Sequence, residues 1–316
     1  MHAAVLTEFG KPPRYQVFAE PVVHEGEVLV HVRAAGLHPL VKAMASGKHY
    51  ASGKELPEVP GVDGIGTLDN GQRVYFVFVR KPWGTIAERA PAQRAMCIPV
   101  PDGISDVDAA AVANPGISAW MSLRHRGALE AGDSVVILGA TGVAGQLAIQ
   151  IARLHGARRI VAVGRNVEAL AGADVDRVIG LNDPEDAIKE AFAEEAAAGI
   201  NIVSDYIWGC PAEMLMEALA KQFNRTKTIC TRWVEVGDMA GKTITLAGGT
   251  LRSVDLRLMG SGYGSNSMEK IQATVPALFQ DVARGAIKVS AVGVPLKEVE
   301  AAWSKSDAKS RIVLTI

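Results

Sequence analysis

The stretch from Ser134 to Asn166, SVVILGATGVAGQLAIQIARLHGARRIVAVGRN, constrains the fold more than any other part of this 316-residue chain. Val135-Val136-Ile137-Leu138 is an unbroken apolar run, which suits a strand covered on both faces in a parallel sheet. Val143, Leu147, Ile151 and Leu154 follow at spacings of four, four and three, one stripe of a helix, and His155-Gly156 gives that helix its stop. Ile160 to Val163 is the next strand. Between the first strand and the helix, GATGVAG sets Gly139, Gly142 and Gly145 three apart. Glycine there permits positive φ, and the missing side chains let backbone N–H groups approach a pyrophosphate at the positive end of the helix. Alone, three spaced glycines are only a tight strand-to-helix turn. Inside a complete βαβ unit they predict a dinucleotide site, with Thr141, Gly142, Val143 and Ala144 against the phosphates. No Gly-Lys-Ser/Thr follows, which excludes a Walker A loop.

The end of the second strand selects the dinucleotide. Sites for NAD place an Asp or Glu about 20 residues beyond the turn, where it accepts hydrogen bonds from ribose hydroxyls. Here the strand ends Val163-Gly164-Arg165-Asn166, without a carboxylate. Arg165 attracts a 2′-phosphate and Asn166 donates to it, so Gly164, Arg165 and Asn166 point to NADPH. The plainer alternative, a solvated loop arginine, leaves the missing acid unexplained.

Around this unit the texture changes. Residues 1 to about 115 read as β-rich, with a strand at Val28–Val32, an Ala-Ala-Gly turn after it, and short strands within PGVDGIGTL and GQRVYFVFV. PDGISDVDAAAVANPG then opens a helix. Beyond residue 117, strands and helices alternate. Asp183-Pro184 is expected to cap an Ala- and Glu-rich helix; Ile200–Ile207 and Thr226–Cys230 read as strands and Ala212–Leu219 as a helix. Alternation of this kind argues for right-handed βαβ units and an α/β, doubly wound parallel sheet. A helix near Ser267 to Arg284 precedes a strand-rich tail ending RIVLTI.

Composition narrows the partners. A net charge of −1 gives no reason to propose nucleic acid or an anionic membrane. No apolar run approaches the roughly 18 residues of a membrane helix, and MHAAVLTEFG lacks the pattern of a signal peptide. The three cysteines, Cys97, Cys210 and Cys230, are far apart with no C-x-x-C pair, which suits reduced thiols in a cytoplasmic protein.

Several segments together resemble the medium-chain dehydrogenase/reductase superfamily, in its zinc-independent quinone-oxidoreductase-like branch. They are VHVRAAGLHP, PGVDGIG, GQRV, GTIAERA, IPVPDGISDVDAAAV, GALEAGDSVVILGATGVAG and LRSVDLRLMGSG, in an order that covers nearly the whole chain. The resemblance implies a GroES-like β-rich catalytic domain over residues 1–115 and 265–316 and a Rossmann NADPH-binding domain over 116–264. It also implies a cofactor cleft between the domains and a homodimer joined through the Rossmann sheet edges. Zinc-dependent relatives carry a Cys after the Ala-Gly turn and a Gly-His-Glu further on; the matching positions here are His38 and Gly61-Val62-Asp63. Val62 cannot coordinate zinc, and the lobe of four close cysteines is missing, so no metal is expected.

Without a Lewis acid, hydride addition to an activated alkene is easier than alcohol oxidation, because a conjugated carbonyl delocalises the charge. The expected function is an NADPH-dependent reductase of a quinone or of the C=C bond of an α,β-unsaturated carbonyl. A zinc-independent carbonyl or alcohol oxidoreductase and a non-catalytic NADPH-binding sensor are the competing readings. His38, where the branch usually carries Asn, and Tyr50 in SGKHY are the candidate catalytic residues. By resemblance Ser118 and Val236-Gly237 approach the nicotinamide and Trp208 flanks the adenine, while Arg232 and Arg252 are weaker candidates for phosphate or substrate.

Overall fold

From the N-terminus, β1 (His2–Val5) and β2 (Arg14–Val17) precede β3 (Glu27–Gly36), α1 (Pro39–Ala45), β4 (Asp63–Thr67) and β5 (Arg73–Val77). Next come β6 (Arg89–Gln93), β7 (Cys97–Pro99) and α2 (Asp106–Trp120). The middle of the chain runs β8 (Ser134–Leu138), α3 (Val143–Leu154), β9 (Arg159–Gly164), β10 (Arg177–Gly180), α4 (Glu185–Ala198) and β11 (Ile202–Asp205). It continues through α5 (Gly209–Ala220), β12 (Thr231–Glu235), α6 (Gly248–Ser253) and β13 (Leu256–Gly260). The last part holds α7 (Met268–Ala283), β14 (Ala291–Pro295), α8 (Val299–Ser304) and β15 (Arg311–Thr315). The structure, a computed structural model, describes residues 1–49, 52–222, 229–262, 264–305 and 310–316. They form two compact units, residues 1–114 with 275–316 and residues 115–274.

The second unit is built on six parallel strands in the order β10-β9-β8-β11-β12-β13. Every residue of β8 is buried, as its unbroken apolar run requires of a central strand. Val136, Val161, Val203, Leu215, Phe192 and Trp233 meet in the core between the sheet and the helices of one face. The order of strands reverses between β8 and β11, so the carboxyl ends of these two strands flank a topological switch point, where open α/β sheets place their ligands.

Local signals were obeyed unevenly. α3 buries Leu147 and Ile151 as expected, but Leu154 at its end is 38% exposed and Ala148, Ile149 and Ala152 complete the buried face. Gly156, at φ +85°, ends it. The strand expected over Ile200–Ile207 is shorter, Ile202–Asp205. The strand expected over Thr226–Cys230 is displaced: 226–228 lie outside the described residues, and pairing with β11 begins at Thr231. Ile229 packs over Gly199, and the buried Trp233 and Val234 make the TRWVE segment the one that suits the sheet interior. Asp183 is not the cap of α4. Pro184 takes that position at φ −53° and ψ 139° with no side-chain cap, and Glu185 and Asp186 complement the dipole in the first turn.

In the first unit, β14-β15-β3-β4-β5-β7 form a seven-stranded sheet with β6 paired to β3. All its pairs are antiparallel except β14 with β15. Val28, Val30 and Val32 alternate into one core with Val74 and Phe76. A register shift between Val32 and Ala34 then redirects the strand, so that Ala35 joins Leu37, Val41 and Leu314 in another core. The expected Ala-Ala-Gly turn is therefore the last part of β3. Gly36 is needed there because a Cβ would lie 2.9 Å from the Ala110 carbonyl oxygen on α2. Among the described residues, no helix is long and apolar enough to cross a membrane.

Candidate functional site

At the switch point, the three glycines of the motif have three different tasks. Gly139 takes φ +88°, and its amide and that of Ala140 both donate to the Val163 carbonyl at 2.9 Å, which ties the turn to the end of β9. Gly142 is the N-cap of α3 and has no side chain to accept the first-turn amides of Val143, Ala144 and Gly145, so they remain available to an anion. Gly145 lets helix and strand approach: a Cβ there would lie 2.4 Å from the Gly139 oxygen and 2.5 Å from Ala140 Cα. Gly164 allows β9 to end against the turn, since its Cβ would meet Thr141 Cγ2 at 2.4 Å. Thr141 itself is half-buried and accepts from Gln146 Nε2 through its carbonyl at 3.1 Å.

Arg165 and Asn166 leave β9 directly beside this turn, both exposed. Asn182 Nδ2 donates to the Arg165 carbonyl at 3.1 Å, which pins the backbone. The Arg165 guanidinium takes part in no ion pair among the described residues.

The exits of β11 and β12 complete the carboxyl end. Asp205 is fully buried and accepts from the amides of Ile207 at 3.0 Å and Trp208 at 2.8 Å and from Trp233 Nε1 at 3.1 Å. Burial pushes its carboxyl up to about 6 against the lowering effect of those donors. Its carbonyl accepts the amides of Val236 at 2.7 Å and Gly237 at 3.2 Å. Trp208 is half-buried against the sheet's core and sits at φ +54°, outside the comfortable range of an L residue. Ile207 reaches the glycine turn, since a Cβ at Gly139 would lie 2.9 Å from its Cγ2. Glu235, at the end of β12, is also raised, by burial and then by Asp205 and Asp238. Ser118 is half-buried two residues before the end of α2, inside the helix and not at its start.

Two arginines need correction or relocation. Arg232 lies at the amino end of β12, donating to Asp133 Oδ2 at 2.8 Å and the Ala128 carbonyl at 2.7 Å. It is a structural anchor remote from the strand ends that carry the turns. Arg252 is exposed on α6, with Gly248 nearby.

In the first unit, His38 is 2% exposed. Its Nε2 lies 3.0 Å from Asp63 Oδ1, and the Tyr75 hydroxyl donates to Asp63 Oδ2 at 3.1 Å. Val62 beside Asp63 is half-buried and packs on the core of α1 and β15. Among the described residues, no three His, Cys, Asp or Glu side chains converge as metal ligands would. Tyr50 lies outside the described residues.

No family model matches the chain. Full-length relatives do: the "Probable NADPH-dependent quinone reductase tdiC" of Emericella nidulans is 26% identical over 99% of both chains. A quinone oxidoreductase of Pongo abelii is 25% identical over 100% of this chain and 98% of its own. Along its whole length the chain is thus similar to quinone oxidoreductases, as the resemblance to the quinone-oxidoreductase-like branch of the medium-chain dehydrogenase/reductase superfamily implies. Solved structures carry the same fold: a mycobacterial quinone oxidoreductase superposes with a TM-score of 0.84 at 22% identity, covering 100% of both chains. A quinone oxidoreductase from Thermus thermophilus gives 0.77 at 22% identity, again over 100% of both. Sequence reasoning singled out the glycine turn, Trp208 and Val236-Gly237 but missed Asp205, which bonds to the last three. The signal was present: an Asp closing the apolar run Ile202-Val203 of a central strand has to be bonded by donors wherever it sits. Asp63, the partner of His38, and Tyr75, which bonds Asp63, left no such trace because they are brought together by strand pairing across β4 and β5.

Proposed function

We propose that this chain is an NADPH-dependent oxidoreductase that reduces a quinone, or the C=C bond of an α,β-unsaturated carbonyl, without a metal. One observation carries it: the end of β9 beside the glycine turn offers an exposed Arg165 and Asn166 and no carboxylate. A relative matched along its whole length bears the name of an NADPH-dependent quinone reductase, which agrees. The residues fit the dinucleotide, because Gly142 leaves the first-turn amides of α3 uncapped and Gly145 keeps the backbone approach that a Cβ would block.

In this reading Thr141, Gly142, Val143 and Ala144 hold the pyrophosphate, Gly164, Arg165 and Asn166 the 2′-phosphate end, and Trp208 the adenine. Ser118, Val236 and Gly237 hold the nicotinamide. Bound NADPH supplies a hydride. The substrate's carbonyl oxygen then gathers negative charge, and donors aimed at that oxygen lower the barrier. His38 and Tyr50 are the proposed donors. Asp63 accepts from His38 Nε2, so Nδ1 is the nitrogen left for the substrate, and it donates only when the ring carries both protons. Val62 stands where zinc-dependent relatives present a ligand and offers no ligand atom, which supports metal-free chemistry. Homodimerisation and a cytoplasmic location belong to the same proposal.

The test is NADPH oxidation followed spectroscopically with a panel of quinones and enones. Turnover of either class is expected. Absence of turnover with saturating NADPH overturns the proposal, and turnover confined to ketones or secondary alcohols, resistant to chelators, replaces it with the carbonyl/alcohol reading.

A further inference from the structure

Five N–H groups converge on one residue, Asp205: the Ile207 and Trp208 amides and the Trp233 indole on its carboxylate, the Val236 and Gly237 amides on its carbonyl. The four amides come from two different segments, the turn after β11 and the turn after β12, and the indole comes from β12 itself. The turns also bond each other, with the Ala240 amide donating to the Ile207 carbonyl at 2.6 Å. The first of them reaches the glycine turn through Ile207. Trp208 holds a backbone conformation, φ +54° and ψ −156°, that an L residue keeps only where its surroundings impose it. The carboxylate bond to its amide is one of the restraints on that turn, beside the packing of Trp208 on the core. Among the described residues, no cation pairs with Asp205. The groups that raise or lower it are burial and the three donors, and its acidic neighbour on the adjacent strand is Glu235, itself next to Asp238. A carboxylate enclosed without a counter-cation is costly. Arginine is available in this sheet for pairing with acids, as Glu195 with Arg159 and Arg177 shows.

We infer that Asp205 is the positioning residue of the dinucleotide site, presetting the turns after β11 and β12 through one carboxylate and one carbonyl before any ligand arrives. The inference rests on the NADPH reading above and extends it to a residue whose side chain is wholly enclosed. Its two carboxylate oxygens have separable duties. Oδ1 serves the turn through Ile207 and Trp208, while Oδ2 serves the core through Trp233.

The experiment compares Asp205→Ala with Trp233→Phe in NADPH binding by fluorescence titration and in thermal melting. Asp205→Ala leaves the two turn amides without their acceptor, and NADPH affinity is expected to fall at least about tenfold. Trp233→Phe removes only the Oδ2 bond. Its melting temperature should drop while NADPH affinity stays within about twofold, as for a contact outside the turns. Equal NADPH affinity in Asp205→Ala and wild type overturns the inference. So does a loss in Trp233→Phe as large as that in Asp205→Ala. Amide exchange of the wild-type protein without NADPH decides the matter even if Asp205→Ala does not fold. Ile207, Trp208, Val236 and Gly237 should exchange at least about a hundredfold slower than open amides, and open-amide rates at these four positions contradict a preset site. Failure of the wild type to bind NADPH counts against the cofactor reading instead, and the exchange result stands apart from it.

Discussion

The two ends of the parallel sheet treat buried acids in opposite ways. At the amino end, Arg159 opens β9 and Arg177 opens β10, and both bond Glu195 of α4, at 2.7 and 2.8 Å. Burial works against the Glu195 carboxylate, but the hydrogen bonds from the two arginines outweigh it and hold the group low. The buried Asp133 with Arg232 repeats the arrangement, and the more exposed Asp176 pairs with Arg153. At the carboxyl end, Asp205 and Glu235 are buried or half-buried, pair with no cation among the described residues, and are both pushed up. The amino end is closed as an ion-paired seal. The carboxyl end keeps its arginine, Arg165, exposed and out of any such pair among the described residues, so positive charge there remains for a ligand. Perturbed acids beside a topological switch point agree with the proposed dinucleotide site.

The contrast can be broken first at the glycine turn. Gly145→Ala forces a Cβ against the Gly139 oxygen and Ala140 Cα and should cost more than about 3 kcal/mol of stability, with NADPH binding lost. Gly142→Ala, whose Cβ would find only the Gly139 oxygen at 3.7 Å, should cost under about 1 kcal/mol of stability in the same denaturation assay. Comparable losses in the two variants contradict the division of tasks among the glycines.

The pH dependence sharpens the comparison because the two ends carry opposite signs. Asp205 is raised in the folded state from 3.8 to about 6, so its contribution to stability is present below pH 4 and is lost as the pH rises through 6. Measured against Asp205→Asn by urea denaturation, the wild type should lose about 3 kcal/mol between pH 4 and 7. Glu195 is lowered in the folded state, so its contribution is present above pH 4.5 and is lost as the pH falls through its folded value. Against Glu195→Gln, the wild type should therefore gain stability with rising pH. At neutral pH that variant should lose about 2 kcal/mol, since each arginine is about a third exposed and recovers part of its solvation, with no change in NADPH affinity. Slopes of the same sign would remove the distinction between seal and site.

How much of this was legible in the sequence follows from the range of the interactions. The β8 run, the glycine turn, α3 and the end of β9 are consecutive, and local spacing read them nearly residue by residue. Where the deciding contact was distant, reading failed. β12 begins at Thr231 because Trp233 fits the core, and no local pattern in TKTIC competes with that. The Ala-Ala-Gly segment reads as a turn, yet pairing with β15 keeps it in β3. Asp205 shows in the sequence only as an acid closing an apolar run, and its distant donors on and after β12 leave no trace in spacing; the bonds of His38 and Tyr75 to Asp63 leave none either. The candidate arginines divide the same way. Arg165 follows β9 directly and is exposed, whereas Arg232 is claimed by Asp133, 99 residues away in sequence.

The central claim is that the carboxyl end of this sheet holds NADPH through a positive group standing where NAD sites carry an acid. Titration of the wild type and Arg165→Asp with NADPH and with NADH tests it most directly. The account predicts tighter binding of NADPH by the wild type, and a loss in Arg165→Asp of about 1.5–3 kcal/mol for NADPH with a much smaller change for NADH. Equal losses for the two cofactors, or a wild type that prefers NADH, would contradict it.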